Sequence, residues 1–194
     1  MNSNTQEWWS EATQLVRALR LHREDEQCPE IDRPCVNPVC CCQAKRPSSC
    51  IADLERREER RRIFWLYYCL DRHLALSYNT CVSLPDSLCE VYVPLSENVW
   101  ENLDSMAQDD LPSRTSNSPT KAAGITFFEY FLPLMVILGD IMEVHQRRRH
   151  PRLGQDDDSR SILLIKELLS QYELSLTALT GLIFLRQARG SSND

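Results

Sequence analysis

Glycine is scarce in this chain, 5 of 194 residues, while charged residues make up 26%. That combination excludes collagen-like and low-complexity classes. The five glycines, Gly124, Gly139, Gly154, Gly181 and Gly190, stand nine or more residues apart. A phosphate-cradling loop needs them clustered, so that backbone amides can approach the anion, and none is present. A basic excess is missing too: 22 Lys and Arg face 28 Asp and Glu, for a net charge of −6. A stand-alone nucleic-acid binder would carry one. No window holds 18 uninterrupted apolar residues, and Met1 to Trp9 lack the basic-then-apolar order of a secretory signal. The expectation is a soluble intracellular protein with no membrane partner. At 42% hydrophobic content the chain can bury a sizeable core without disulfides or metal.

Motifs of catalysis are equally absent. The four histidines, His22, His73, His145 and His150, are scattered, and neither H-E-x-x-H nor Glu-x-x-His occurs. No G-x-S-x-G elbow is found. Asp156, Asp157 and Asp158 are consecutive and precede Ser159-Arg160. They fit a solvated helix cap rather than the spaced Asp pairs of a magnesium-dependent synthase. Cysteine is the residue in surplus, with nine. Cys28, Cys35, Cys40, Cys41, Cys42 and Cys50 crowd into one stretch at intervals of seven, five, one, one and eight, with no C-x2-C pair and no local histidine. A tetrahedral zinc site prefers pairs spaced two to four apart. The stretch therefore reads as a loop or insertion with unpaired thiols, and Cys69, Cys81 and Cys89 as small core residues. The chain is expected to hold no metal or cofactor and not to be an enzyme.

What is present is helical periodicity. Over residues 7–22, Trp8, Ala12, Leu15, Leu19 and His22 form one stripe, flanked by Trp9, Val16 and Leu21. Residues 54–78 begin as a charge block in which Glu58 lies at helical spacing from Arg61 and Arg62. Its mixed signs suggest a solvated, self-paired face rather than a DNA-tracking one. From Ile63 to Leu70 every side chain is apolar or aromatic, which predicts burial on all sides, including Trp65, Leu66, Leu70 and Leu74. Asp71 and Arg72 interrupt the run. As helix neighbours they cannot face each other, so each should pair elsewhere, as a buried ionic tie between helices. Leu84-Pro85-Asp86-Ser87 signals a turn, and residues 107–124 a flexible connector. Over residues 125–149, Phe127, Phe131, Leu134, Leu138, Ile141 and His145 form a candidate core stripe, and Pro133 should kink or divide the helix near Leu132. Pro151 and Gly154 mark its stop. A last repeat, Ile162, Ile165, Leu168, Leu169, Tyr172, Leu176 and Leu179, occupies 159–180. No run of alternating strands appears. The fold class is all-α: four long helices in an irregular multi-helix domain with long loops. Residues 1–26 hold the first helix, 27–53 the Cys-rich loop, 54–180 the helical core and 181–194 a C-terminal tail.

From Glu59 to Asn79 (E-R-R-R-I-F-W-L-Y-Y-C-L-D-R-H-L-A-L-S-Y-N) the sequence resembles the middle homology, or regulatory, domain of fungal zinc-cluster transcription factors. Val93-Pro94-Leu95 and Trp100 follow in the family's order. Two further blocks agree, Trp8-Trp9 to Glu24-Asp25, and Phe127 to His145 with H-P-R-L-G behind it. The resemblance covers about 8–25, 55–104 and 125–176 and is strongest to the xylanolytic and amylolytic activators. On it, Arg61, Arg62, Trp65, Asp71, Arg72, Pro94 and Trp100 are the family signature, with structural or regulatory duty. The family's six-cysteine zinc cluster contains C-x2-C and C-x6-C intervals; Cys28 to Cys35 matches only the second, and lies after the first helix rather than before it. Zinc is thus expected only in a cluster missing from these residues, and the chain reads as a fragment of a larger helical regulatory region.

The function this implies is regulation of carbohydrate- and polysaccharide-utilisation genes in the nucleus. DNA would be reached only through the missing zinc-cluster module. Transcription machinery or regulator proteins, a sugar-derived inducer and a homodimer of the full-length protein are the other implied partners. Two alternatives remain open: a stand-alone helical interaction module that competes with full-length relatives, and an all-α enzyme.

Overall fold

The computed structural model describes residues 3–24, 51–106, 111–115, 118–152 and 158–190. The fold is all-α. Helices run over Ser3–Ala18 (α1), Ile51–Tyr78 (α2), Glu97–Glu101 (α3), Leu132–Arg149 (α4) and Ser159–Gly190 (α5). One-turn 3-10 segments cover Asp86–Leu88 and Leu103–Ser105, and a π-helical turn covers Phe127–Phe131. The only β pairing among the described residues is an isolated bridge between Arg23 and Glu90. The Cys28–Cys50 cluster lies outside the described residues. So do Gly154, Asp156 and Asp157.

The chain divides into two compact units, Met1–Asp71 with Ser83–Asn117, and Arg72–Val82 with Ser118–Asp194. In the first, α2 supplies Phe64, Trp65, Tyr67, Tyr68 and Cys69 to the core, alongside Val16, Leu84, Val91, Leu95 and Leu103. Trp9 stacks on Tyr67 at 4.8 Å between ring centroids, and the Tyr67 hydroxyl donates to Thr13 Oγ1 at 3.0 Å. These contacts turn the inner face of α1 to Trp9, Thr13 and Val16. Trp8 and Leu15, on the stripe read from sequence, are exposed instead. The helix closes with Arg20 in the left-handed region at φ 53°. Leu21 N–H donates to the Val16 carbonyl and Arg20 N–H to that of Arg17, a Schellman ending. Arg60 donates to the Leu19 and Arg20 carbonyls at 2.9 and 2.7 Å, satisfying acceptors that a helix end leaves open.

The apolar half of α2 is not buried on all sides. Trp65 is 1% exposed, but Ile63 is 55%, Leu66 49% and Leu70 46% exposed, and Leu74 is half-buried. The buried stripe runs instead through Glu58, Arg61, Trp65, Tyr68, Arg72 and Ala75, at alternating steps of three and four. Of the charge block expected to be solvated and self-paired, Glu58 and Arg61 are therefore inside, while Arg56 and Glu59 are exposed. Cys69 is buried as expected, whereas Cys81 is exposed and Cys89 intermediate, because both lie beyond the helix.

In the second unit, α2 ends with Asn79 in the left-handed region at φ 51°, and Thr80 N–H donates to the Ala75 carbonyl. Pro133 sits in the first turn of α4, where its missing N–H costs nothing. It divides the predicted helix at Leu132, as the sequence implied, with a π turn in front. Thr126 and Glu129 form a reciprocal capping box there. A Cβ at Gly124 would lie 2.0 Å from the Glu129 carboxylate, so a side chain there would displace that carboxylate. The buried face of α4 is Leu132, Met135, Val136, Gly139 and Met142, with Pro133 and Ile137. This differs from the predicted stripe, whose members Phe127, Ile141 and His145 are exposed. Ala122, Ile137 and Tyr172 form a core cluster packed by Leu134, Ile165, Leu168, Leu176 and Leu179, so most of the α5 repeat is inward as expected, while Leu169 is exposed. Asp158 precedes α5 but is no solvated cap: it is 5% exposed and pairs with Arg147, and with Arg148 at 3.4 Å.

Candidate functional site

The charge block of α2 folds into a buried ion cluster in the first unit. Glu58, 0% exposed, lies at its centre. The helical spacing noted in the sequence brings it 3.6 Å from Arg61 and 3.7 Å from Arg62. Arg114 donates to its Oε2 at 2.8 Å, and Leu95 N–H to its Oε1 at 2.6 Å. Arg61 grips Glu24 with two parallel bonds of 2.8 and 2.9 Å, the fork geometry in which guanidinium–carboxylate pairs are strongest. Glu24 also accepts from Tyr92 N–H at 2.8 Å. Arg62 donates to Glu97 at 2.9 Å and to the Leu95 carbonyl at 3.1 Å. Its guanidinium sits 4.9 Å from the centroid of the Trp100 ring, and that of Arg61 5.3 Å from Tyr92. Such cation–π contacts contribute about 0.5–2 kcal/mol each, more when desolvated.

Glu24, Glu58 and Glu97 thus balance Arg61, Arg62 and Arg114. Burial by itself disfavours the charge on Arg61, but hydrogen bonding and attraction from Glu24, then Glu58, outweigh it and raise its pKa. For Arg114, burial dominates and the pKa is lowered; Glu58 supports the cation while Arg61 opposes it. Desolvated charges of this kind persist only when paired and hydrogen-bonded.

The cluster gathers most of the residues that the resemblance singled out. Arg61, Arg62 and Trp100 are members of it. Trp65 donates its indole N–H to the Tyr92 carbonyl at 2.8 Å, and Pro94 is buried beside Leu95, the residue whose N–H and C=O both enter the cluster. The effect is to fasten residues 91–97 to α2 through their backbone. Asp71 acts similarly on the next loop, accepting from Ser83 N–H at 3.0 and 2.9 Å and from Leu84 N–H at 3.2 Å. Through these backbone amides it pins the turn at Ser83 and Leu84. Arg72 is fully buried and falls in the second unit. Sequence reasoning missed Glu24, Glu97, Arg114 and Tyr92. Only Glu58 carried a local signal; the others reach the cluster from 35 to 68 residues away.

Glu24 and Glu58 each accept donors at both carboxylate oxygens, and Glu97 accepts from Arg62. Among the described residues no group of three or more His, Cys, Asp or Glu could hold a metal ion. Nor is any helix there long and apolar enough to cross a membrane.

A family model described as the fungal specific transcription factor domain matches residues 2–174. The chain is 34% identical over 165 residues to a xylanolytic transcriptional activator of Aspergillus clavatus, covering 76% of this chain and 17% of the relative. It is 35% identical over 187 residues to the xylanolytic transcriptional activator of Emericella nidulans, covering 87% and 20%. An arabinolytic transcriptional activator of Emericella nidulans is 28% identical over 217 residues, covering 89% and 26%. The chain therefore spans about a fifth of the length of these curated relatives. No solved structure matches it significantly.

Proposed function

The chain belongs to the fungal specific transcription factor domain family, and from that premise we propose that it is the helical regulatory domain of a nuclear transcription factor controlling carbohydrate- and polysaccharide-utilisation genes. The observation that carries this reading is the family match over 2–174, within which signature residues Arg61, Arg62, Trp65, Pro94 and Trp100 converge on one buried, charge-balanced cluster. Such a cluster sets the conformation of the loops around it. That suits a domain that transmits a state rather than one that transforms a substrate. Catalysis and a cofactor of its own have no part in this reading.

In the mechanism proposed, DNA is contacted by a zinc-cluster module outside these residues. The helical domain restrains or releases that module, or a partner in the transcription machinery, when a sugar-derived inducer binds. Coupling of this kind requires the inducer to favour one of two states of the domain. Homodimerisation would be a property of the full-length protein.

A reporter assay tests the proposal. The chain is fused to an unrelated DNA-binding module, and expression is measured with and without xylose or arabinose. Output that differs from the module alone and changes with sugar supports a regulatory domain; output equal to the module alone under both conditions refutes it. In a mobility-shift assay the unfused chain should retain no promoter sequence selectively at physiological salt, because its net charge is −6 and Arg61 and Arg62 of α2 are paired internally. Selective retention would overturn the assignment of DNA contact to another module.

A further inference from the structure

We propose that Ser118 is a phosphorylation site for a proline-directed Ser/Thr kinase. The sequence holds ten prolines, and only Pro119 follows a serine or threonine. It opens the tetrapeptide Ser118-Pro119-Thr120-Lys121. Proline at the position after the acceptor brings no N–H that a kinase groove must satisfy, and it holds the preceding residue extended. Lys121 adds a cation three positions on, where a kinase with an acidic subsite gains a second contact.

The structure presents this motif in the form an active site needs. Residues 118–123 lie outside any helix or strand, and Ser118 and Lys121 are exposed. Just after the motif, and within the same unit, Ala122 N–H donates to Ser175 Oγ at 2.9 Å and Ala123 N–H to the Glu129 carbonyl. The motif is thus an irregular surface segment leading into a fixed point, and surface loops of this sort are where modifying enzymes find purchase. In the transfer, Ser118 Oγ attacks the γ-phosphorus of ATP. The new O–P bond forms as the bond to the β-phosphate oxygen breaks. ADP leaves, and the hydroxyl proton passes to the kinase's catalytic aspartate. The product adds a charge of about −1.5 to −2 at neutral pH.

The test treats the full chain with a proline-directed kinase and ATP, followed by peptide mapping by mass spectrometry. One phosphate on Ser118 is expected. It should be absent in Ser118→Ala, formed roughly tenfold or more slowly in Pro119→Ala, and slower in Lys121→Ala. Circular dichroism establishes that each variant folds; the three substituted positions lie outside any helix or strand, so loss of fold is not expected. Phosphate incorporation undiminished in Ser118→Ala would overturn the proposal. So would a free peptide of residues 112–124 accepting phosphate while the folded chain does not.

Discussion

Substituting Glu58 by glutamine tests the ion cluster most directly. The side chain keeps its shape, but the balance of three carboxylates against three guanidiniums becomes two against three. Arg114 loses a 2.8 Å partner, and the attraction Glu58 exerts on Arg61 and Arg62 disappears. One amide oxygen can still accept from Leu95 N–H, so the backbone bond is not the principal loss. Removing one member of a buried, hydrogen-bonded ion pair costs about 3–5 kcal/mol, because the partner charge stays desolvated. In a domain of this size each kcal/mol lowers Tm by about 2–4 °C, so a fall of roughly 6–20 °C is expected. Thermal melts by circular dichroism and urea titration measure it. A double-mutant cycle with Arg114→Met should show a coupling of about 0.5–3 kcal/mol, the double variant losing less than the sum of its parts. If Glu58→Gln unfolds within about 0.5 kcal/mol of the parent, the size of an ordinary surface change, the cluster is not holding the loops and the argument fails.

Trp65→Ala should cost about 3–5 kcal/mol, whereas Leu66→Ala, on the exposed face of the same helix, should stay within about 1 kcal/mol; equal losses in urea titrations would contradict the assigned helix face. Stability should fall as pH drops below about 6.5, the ordinary histidine value. Burial is the foremost reason that the His22 pKa is lowered, only partly offset by the Val16 carbonyl, so the unfolded chain takes up the proton first. His22→Gln should flatten that part of the profile, and an unchanged slope would refute the assignment. Replacing residues 27–50 with a short Gly/Ser linker should alter stability by no more than about 1 kcal/mol, since closure entropy changes by only about 0.6 kcal/mol per doubling of length; stoichiometric zinc in the parent protein, lost with helicity on chelation, would show that the segment does more.

The helix inventory was legible because each long helix carries three- and four-residue spacing, and Pro133 marks the break in front of α4 plainly. Which face each helix buries was less so. In α2 hydropathy favours Ile63, Leu66 and Leu70, yet Glu58, Arg61 and Arg72 take the inside. Charge is counted as surface by any reading of periodicity, and a charged residue enters a core only with its partners. Those partners, Glu24, Glu97 and Arg114, lie far away in sequence, so no local window contains the compensation. The same holds for α1, where stacking of Trp9 on Tyr67 selects the inner face. Signature positions could be named from the family likeness. Their common purpose could not, because it resides in the bonds to Leu95 and Tyr92 backbone atoms, about which side-chain identity is silent.

The separations spanned by the ion cluster also bear on how long the domain stays folded once formed. Glu24 meets Arg61 across 37 residues and Tyr92 across 68, and Arg114 meets Glu58 across 56. Loop closures of that length must be made before the cluster returns any energy, so non-local contacts of this kind slow folding and assemble after the local helices. Interactions absent from the transition state act on the escape rate rather than the entry rate. Glu58→Gln should therefore leave the refolding arm of a chevron nearly in place and raise the unfolding arm by most of the stability lost. The domain's lifetime, more than its speed of formation, is what these six charges govern.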